Sequence, residues 1–212
     1  METNFWHQKW ATNEINFHQS KPNPLLLKYF EALHCGRDSR IFVPLCGKSL
    51  DVDWLLSNGH RVAGAELSEL AVAQLFANLE LKPSVGDIGG LRRYTAGNLE
   101  VFVGNIFDLS QELLGPVDAT YDRAALVALP AAVRARYAAQ LRAITNDAPQ
   151  LLICFEYDQS VLAGPPFSVT GDEVNRCYGG GYRLTRLAGV DVPGGLKGKC
   201  AASEVVWLLQ HA

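Results

Sequence analysis

A doubly wound, mostly parallel α/β sheet is the fold predicted by this sequence of 212 residues. Three observations carry the prediction. Apolar runs of strand length alternate with helix-period segments along most of the chain. The run QLLICFEY at 150–157 stays apolar through its centre, as a strand buried on both faces must. A glycine turn follows the first such run, where a doubly wound sheet crosses to its first helix.

The elements follow in order. RIFVPLC (40–46) reads as a buried first strand, and SLDVDWLLSNG (49–59) as a helix stopped by Gly59. RVAGAEL (61–67) is the second strand. The helix SELAVAQLFANL (68–79) follows it, with Ser68 as N-cap and Ala71, Leu75 and Leu79 on one face. After Pro83 the pattern changes: RRYT and LEVFVGN flank Ala96-Gly97-Asn98 and read as a hairpin inserted before the third core strand. VDATYDR (117–123) is the fourth strand, and PAAVRARYAAQLRAIT (130–145) an amphipathic helix with Pro130 near its first turn. The apolar run at 150–157 is the fifth. YRLTRLAGV and SEVVWLLQ, joined by a turn rich in glycine and proline, bring the expected sheet to seven strands. The length suits one domain, divided into an N-terminal helical lid over 1–35 and a core over 36–212.

Bulk properties narrow the function. A net charge of −3 with scattered basic residues argues against a broad grip on nucleic acid or acidic lipid. The tightest basic pair, Arg92-Arg93, reads as a solvated turn. Five cysteines, odd in number and without a C-x-x-C, read as reduced, mostly buried thiols with no metal site. METNFWHQKW lacks the apolar centre of a signal peptide, and no run approaches the ~20 residues of a membrane span. A soluble, cytoplasmic monomer is expected, with neither a nucleic-acid nor a membrane partner.

Sheets of this kind bind ligands beyond the carboxyl ends of their strands, after Val43, Glu66, Val103 and Asp122. The segment FVPLCGKS ends like a phosphate loop, but its first position holds Phe42 where that loop needs glycine. A dinucleotide turn would need G-x-G-x-x-G, and one glycine, Gly47, stands here. Glu66, 19 residues beyond Gly47, lies where an acidic residue takes the ribose hydroxyls of an adenosine; the plainer reading is a carboxylate capping the next helix. A ribose-binding acid without a phosphate loop points to S-adenosylmethionine.

FWHQKWATNEINFH, PLCGKSLD, GAELSE, NIFDL, YDRAAL and GPPFSV, in that order over about residues 5–170, resemble the thiopurine S-methyltransferase family, specifically its bacterial branch. The resemblance implies a Rossmann-like class I fold and S-methylation of small heteroaromatic thiols, with selenium or tellurium compounds as further acceptors. It implies that Trp10 packs against the cofactor, that Leu45 and Gly47 border its methionine portion, and that Glu66 holds the ribose. Ile106 and Phe107 would flank the adenine, and Arg123 would reach the active centre. Phe17, His18, Pro166 and Phe167 would shape the acceptor pocket.

The residues themselves leave alternatives. Trp6 and Trp10, at i and i+4, either staple a short helix to the body or shield a sulfonium. His18 is either a base or a hydrogen-bonding orienter. Arg123 is either an active-site cation or a partner for Asp122, and Asp108 either meets the adenine or caps a helix. The family usually carries a basic residue near the acceptor, in a longer segment before the last strand; here that segment is the short, glycine-rich DVPGGLKGKCAASE, where Lys197 or Lys199 would stand in without the arginine fork. Two other classes compete: a nicotinamide-dependent oxidoreductase, and a non-catalytic S-adenosylmethionine-binding or tellurite-resistance protein.

Overall fold

The computed structural model describes residues 3–15 and 18–211. The helix α1 (Thr3–Ala11) comes first, then α2 (Pro24–Tyr29), capped by the Asn23 side chain, which accepts from the Leu25 and Leu26 N–H groups. The strand β1 (Arg40–Pro44) leads into α3 (Leu50–Ser57), and β2 (Arg61–Glu66) into α4 (Glu69–Asn78). Both helices start on the residues that the sequence marks. Ser49 Oγ accepts from Asp51 N–H and Ser68 Oγ from Ala71 N–H, which satisfies donors that a helix start leaves open.

Next come β3 (Ser84–Ile88), β4 (Leu91–Ala96) and β5 (Leu99–Val103). After them the chain forms α5 (Gln111–Leu114), β6 (Ala119–Arg123), α6 (Ala131–Thr145), β7 (Gln150–Tyr157) and α7 (Gly171–Tyr178). The strands β8 (Tyr182–Asp191) and β9 (Ala202–His211) close the chain as an antiparallel pair.

Among the described residues the sheet has nine strands, in the order β3-β4-β5-β2-β1-β6-β7-β9-β8. The expected seven are all present, and two more extend one edge. Gly97-Asn98 turns β4 back antiparallel onto β5, so the predicted hairpin uses the third core strand as its own second arm. Gly89 and Gly90, at φ +56° and +85°, then turn β3 onto β4. Arg92 and Arg93 therefore lie on a strand, not in a solvated turn. Arg92 pairs with Glu69 and Asp87, and Arg93 with Glu100.

Alternation along the central strands sorts the core into two layers. Ile41 and Val43 of β1 face α2, α3 and α4, packing with Leu26, Val52, Leu75 and Phe76. Phe42, between them, faces the opposite layer with Leu141 of α6 and Tyr178 of α7. Helices thus cover both sheet faces. All five cysteines are free thiols, with Cys46 and Cys154 buried. Among the described residues no helix is long and apolar enough to cross a membrane.

One buried carboxyl sets a pH dependence. Asp122 accepts from Leu126 N–H at 3.2 Å and from the Tyr137 hydroxyl at 2.9 Å, yet burial pushes its pKa up to about 6. Its folded value lies above the unfolded value near 3.9, so its contribution is complete below about pH 4 and lost as pH rises through about 6. The gap between the two values corresponds to about 3 kcal/mol. Denaturant unfolding of wild type and Asp122→Asn at pH 4 and pH 8 is expected to show the variant gaining up to about that amount, relative to wild type, at the higher pH. A constant difference between the two proteins would contradict this account.

Candidate active site

In the strand order, β1 pairs with β2 on one side and with β6 on the other, and the chain leaves it in opposite directions. A crevice opens at such a switch point, outside the carboxyl ends of the strands. Here it is a cleft of about 820 Å³, walled by the exits of β1, β2 and β6, by α1, and by the segments around 164–166 and 196–197. A second depression, of about 570 Å³, lies at the amino ends of β6 and β7 beside Asp118 and Pro149; none of the predicted site residues among those described lines it.

The floor of the cleft is the turn after β1. Leu45 takes φ +47° and Gly47 φ +53°. For Leu45 this left-handed backbone is strained, and such strain concentrates at ligand sites. Gly47 is required for two reasons: its φ suits glycine, and a Cβ there would meet the Trp10 ring at 3.0 Å. Trp10 on α1 therefore lies close over the turn and is buried. The Gly47 N–H turns inward and donates to Glu66 Oε2 at 2.8 Å, while Ser68 N–H donates to Glu66 Oε1 at 2.8 Å. An amide that would face a phosphate in a phosphate loop is thus committed to a carboxylate. Phe42, where that loop needs glycine, sits fully buried in β1.

Glu66 borders the cleft at the end of β2, although it is only 6% exposed. Burial pushes its carboxyl up, and the Ser68, Gly47 and Leu67 N–H groups pull it back toward ionisation. An ionised carboxylate offers about four acceptor positions, so the backbone N–H groups around Glu66 do not use them all.

On the other side of β1, Arg123 ends β6 and is followed by Ala124 at φ +63°; both line the cleft. The partner of Arg123 is not Asp122, which serves Leu126 and Tyr137. It is Asp51 of α3, whose Oδ2 lies 3.9 Å from Arg123 Nη1. Burial of Glu204 on β9 raises its carboxyl, and the nearby Arg123 charge draws it down again.

The structure brings Trp10, Leu45, Gly47, Glu66 and Arg123 together with His18, Pro166 and Lys197. His18 is held below the usual histidine range by burial and by the Lys48 and Arg123 charges. Lys197 borders the cleft and donates to the Pro165 carbonyl at 2.8 Å, whereas Lys199 is not among the lining residues. Phe17 lies outside the described residues.

Three further predicted residues are not among those lining the cleft. Ile106 is buried in the core behind the β5 exit, its carbonyl accepting from Gln140 Nε2 at 2.9 Å. The Phe107 ring carries the Arg136 guanidinium at 4.0 Å. Phe167 packs under Gly164, a lining residue, with the Arg134 guanidinium 5.4 Å from its ring. The cap of α5 is Ser110, not Asp108. Sequence reasoning missed Lys48, whose Nζ donates to Gln74 Oε1 at 2.9 Å, and Asp51. An acid in the first turn of a helix reads as an ordinary partner of the helix dipole, so Asp51 carried no signal of its own.

The residues fit an adenosyl amino acid. The volume lies in the ordinary range for a ligand site, Glu66 has acceptors for hydroxyls, and Trp10 lies over a turn whose Gly47 amide is already taken by Glu66. Solved structures agree on the fold. The Burkholderia thailandensis 1,6-didemethyltoxoflavin-N1-methyltransferase, solved with 1,6-didemethyltoxoflavin and S-adenosylhomocysteine, superposes with a TM-score of 0.67 at 16% identity, covering 98% of this chain and 87% of that one. The magnesium protoporphyrin IX methyltransferase of Synechocystis PCC 6803, solved with S-adenosylhomocysteine, gives 0.66 at 11% identity, covering 99% and 100%. The fold is that of the class I S-adenosylmethionine-dependent methyltransferases.

The family model for thiopurine S-methyltransferase (TPMT) matches residues 1–210. A thiopurine S-methyltransferase of Xanthobacter autotrophicus is 54% identical over 213 residues, covering all of both chains. One from Teredinibacter turnerae is 52% identical over 211 residues, covering 100% of this chain and 98% of the other. The chain belongs to the thiopurine S-methyltransferase family. It is an S-adenosylmethionine-dependent methyltransferase.

Proposed function

We propose that the enzyme methylates the sulfur of small, flat heteroaromatic thiols of the thiopurine kind, with Glu66 and Arg123 serving the two reactants. The observation that carries the reading is their placement. A buried carboxylate with acceptor positions to spare and a cleft-facing guanidinium stand on either side of the β1 exit.

Glu66 holds the ribose, the Leu45–Gly47 turn borders the methionine portion, and Trp10 covers it. When bound, S-adenosylmethionine supplies an electrophilic methyl group on a sulfonium. The chain's own work is positioning, which is worth about 7–11 kcal/mol at best. Trp6 and Trp10 wall the cleft from the α1 side, exclude water and present aromatic faces that receive a cation well. Arg123 favours the anionic form of the acceptor sulfur, and a thiolate is the stronger nucleophile. The thiol proton goes to solvent. His18, kept neutral, serves as a hydrogen-bonding partner for the acceptor, and Pro165, Pro166 and Lys197 bound it.

The positive charges of Arg123, Lys48 and Lys197 extend the reading to chalcogen oxyanions as second acceptors. The test is a panel with methyl-labelled S-adenosylmethionine: 6-mercaptopurine, 2-mercaptopyridine, their oxygen and amino counterparts, selenite and tellurite. Label is expected on the thiols and not on the oxygen or nitrogen counterparts. Equal transfer to those counterparts, or binding without transfer, would overturn the proposal.

A further inference from the structure

Asp51 reaches neither cofactor nor acceptor, since it does not line the cleft, yet it is a buried acid directly behind it. Ser49 Oγ accepts from its N–H at 3.2 Å and sets it on the first turn of α3. Its Oδ1 accepts from Asn23 N–H at 2.7 Å, and its Oδ2 from the Tyr121 hydroxyl at 3.0 Å. Tyr121 is itself fully buried. Both oxygens are therefore locked by donors from two other parts of the chain, and the locked charge faces Arg123 Nη1 at 3.9 Å.

That distance is an ion pair without a hydrogen bond. It leaves the guanidinium its donors for the cleft while restricting where the charge rests. The Arg123 side chain is only 11% exposed, so a fixed countercharge matters more than at a surface. Asn23 also begins α2, the point where the N-terminal segment bearing Trp10 and His18 joins the body. One carboxylate thus ties that segment, α3 and β6 together.

We propose that Asp51 is a positioning residue for methyl transfer, acting through Arg123 by holding its guanidinium toward the acceptor. The proposal rests on the acceptor role of Arg123 given above.

A double-mutant cycle distinguishes the two. Turnover of 6-mercaptopurine and S-adenosylmethionine affinity are measured for wild type, Asp51→Asn, Arg123→Ala and the double variant. Asp51→Asn is expected to lower kcat by about 10- to 100-fold, as a misplaced group does, with cofactor affinity within about threefold. In the Arg123→Ala background the same change is expected to cost nothing further. Asp51→Glu is expected to recover part of the loss.

A full additional loss in the double variant means that Asp51 acts elsewhere, and overturns the inference alone. Wild-type turnover of Arg123→Ala overturns the role of Arg123 and the inference with it. Should Asp51→Asn not fold, Tyr121→Phe replaces it in the cycle. It frees Oδ2 while keeping the charge and is expected to lower kcat severalfold, again only when Arg123 is present.

Discussion

Glu66→Ala is expected to weaken S-adenosylmethionine binding by about 100-fold or more, as read by titration calorimetry. The carboxylate does two jobs at once. It accepts from Gly47 and Ser68, which hold the turn after β1 against the end of β2, and it keeps acceptors open toward the cleft. Hydrogen bonds to a charged group contribute about 1.5–3 kcal/mol each, so losing two toward the ribose suffices for a hundredfold change. The alanine also leaves two backbone donors without their acceptor, and a lower melting temperature is expected beside the affinity loss.

Glu66→Gln separates shape from charge. Its NH2 group must face one of the two backbone N–H donors, so it is expected to restore little. Because burial raises the Glu66 carboxyl, wild-type affinity is expected to fall as the pH drops, earlier than an ordinary glutamate would allow. Unchanged affinity in Glu66→Ala would remove this residue from the cofactor site.

Arg123→Ala is expected to lower kcat with 6-mercaptopurine by about 100- to 1000-fold, the range found when a charge-stabilising donor is removed from an active site. Cofactor affinity is expected to stay within about tenfold, because the main holding groups lie on the β1 and β2 side. Removing the cation also leaves Asp51 and Glu204 facing one another without a countercharge, so some loss of stability is expected. Arg123→Lys keeps a charge but lacks the planar fork, and is expected to recover part of the turnover. Wild-type kinetics in Arg123→Ala would refute the assignment.

Much of this site could be read in the amino-acid order because the interactions that make it are short in sequence. Ser49 and Ser68 cap helices whose open donors lie two or three residues on. The substitution of Phe42 for a loop glycine and the lone Gly47 state locally that no phosphate enters. Glu66 is 19 residues from Gly47, one strand–helix–strand crossing away, so its arrival beside that turn follows from the parallel pairing of β1 and β2.

Other features depended on how distant segments met. The β4–β5 hairpin was legible in its turn, but β3 adds to an edge that only β4 creates, a pairing that periodicity within the segment does not reveal. Ile106, Phe107 and Phe167 follow the expected strands and loop, yet Gln140 of α6 takes the Ile106 carbonyl, and Arg136 and Arg134 of the same helix lie over the Phe107 and Phe167 rings. The choice of Lys197 over Lys199 was made by its reach to the Pro165 carbonyl.

The clearest case is Asp51. Alternation, caps and a glycine turn were legible without coordinates, because each is a relation between near neighbours along the chain. That an acid on α3 lies behind a guanidinium on β6, with a tyrosine hydroxyl 70 residues away locking it, follows from the strand order. Charge and hydrogen bonding act through space, and only the packed sheet brought those residues within their range.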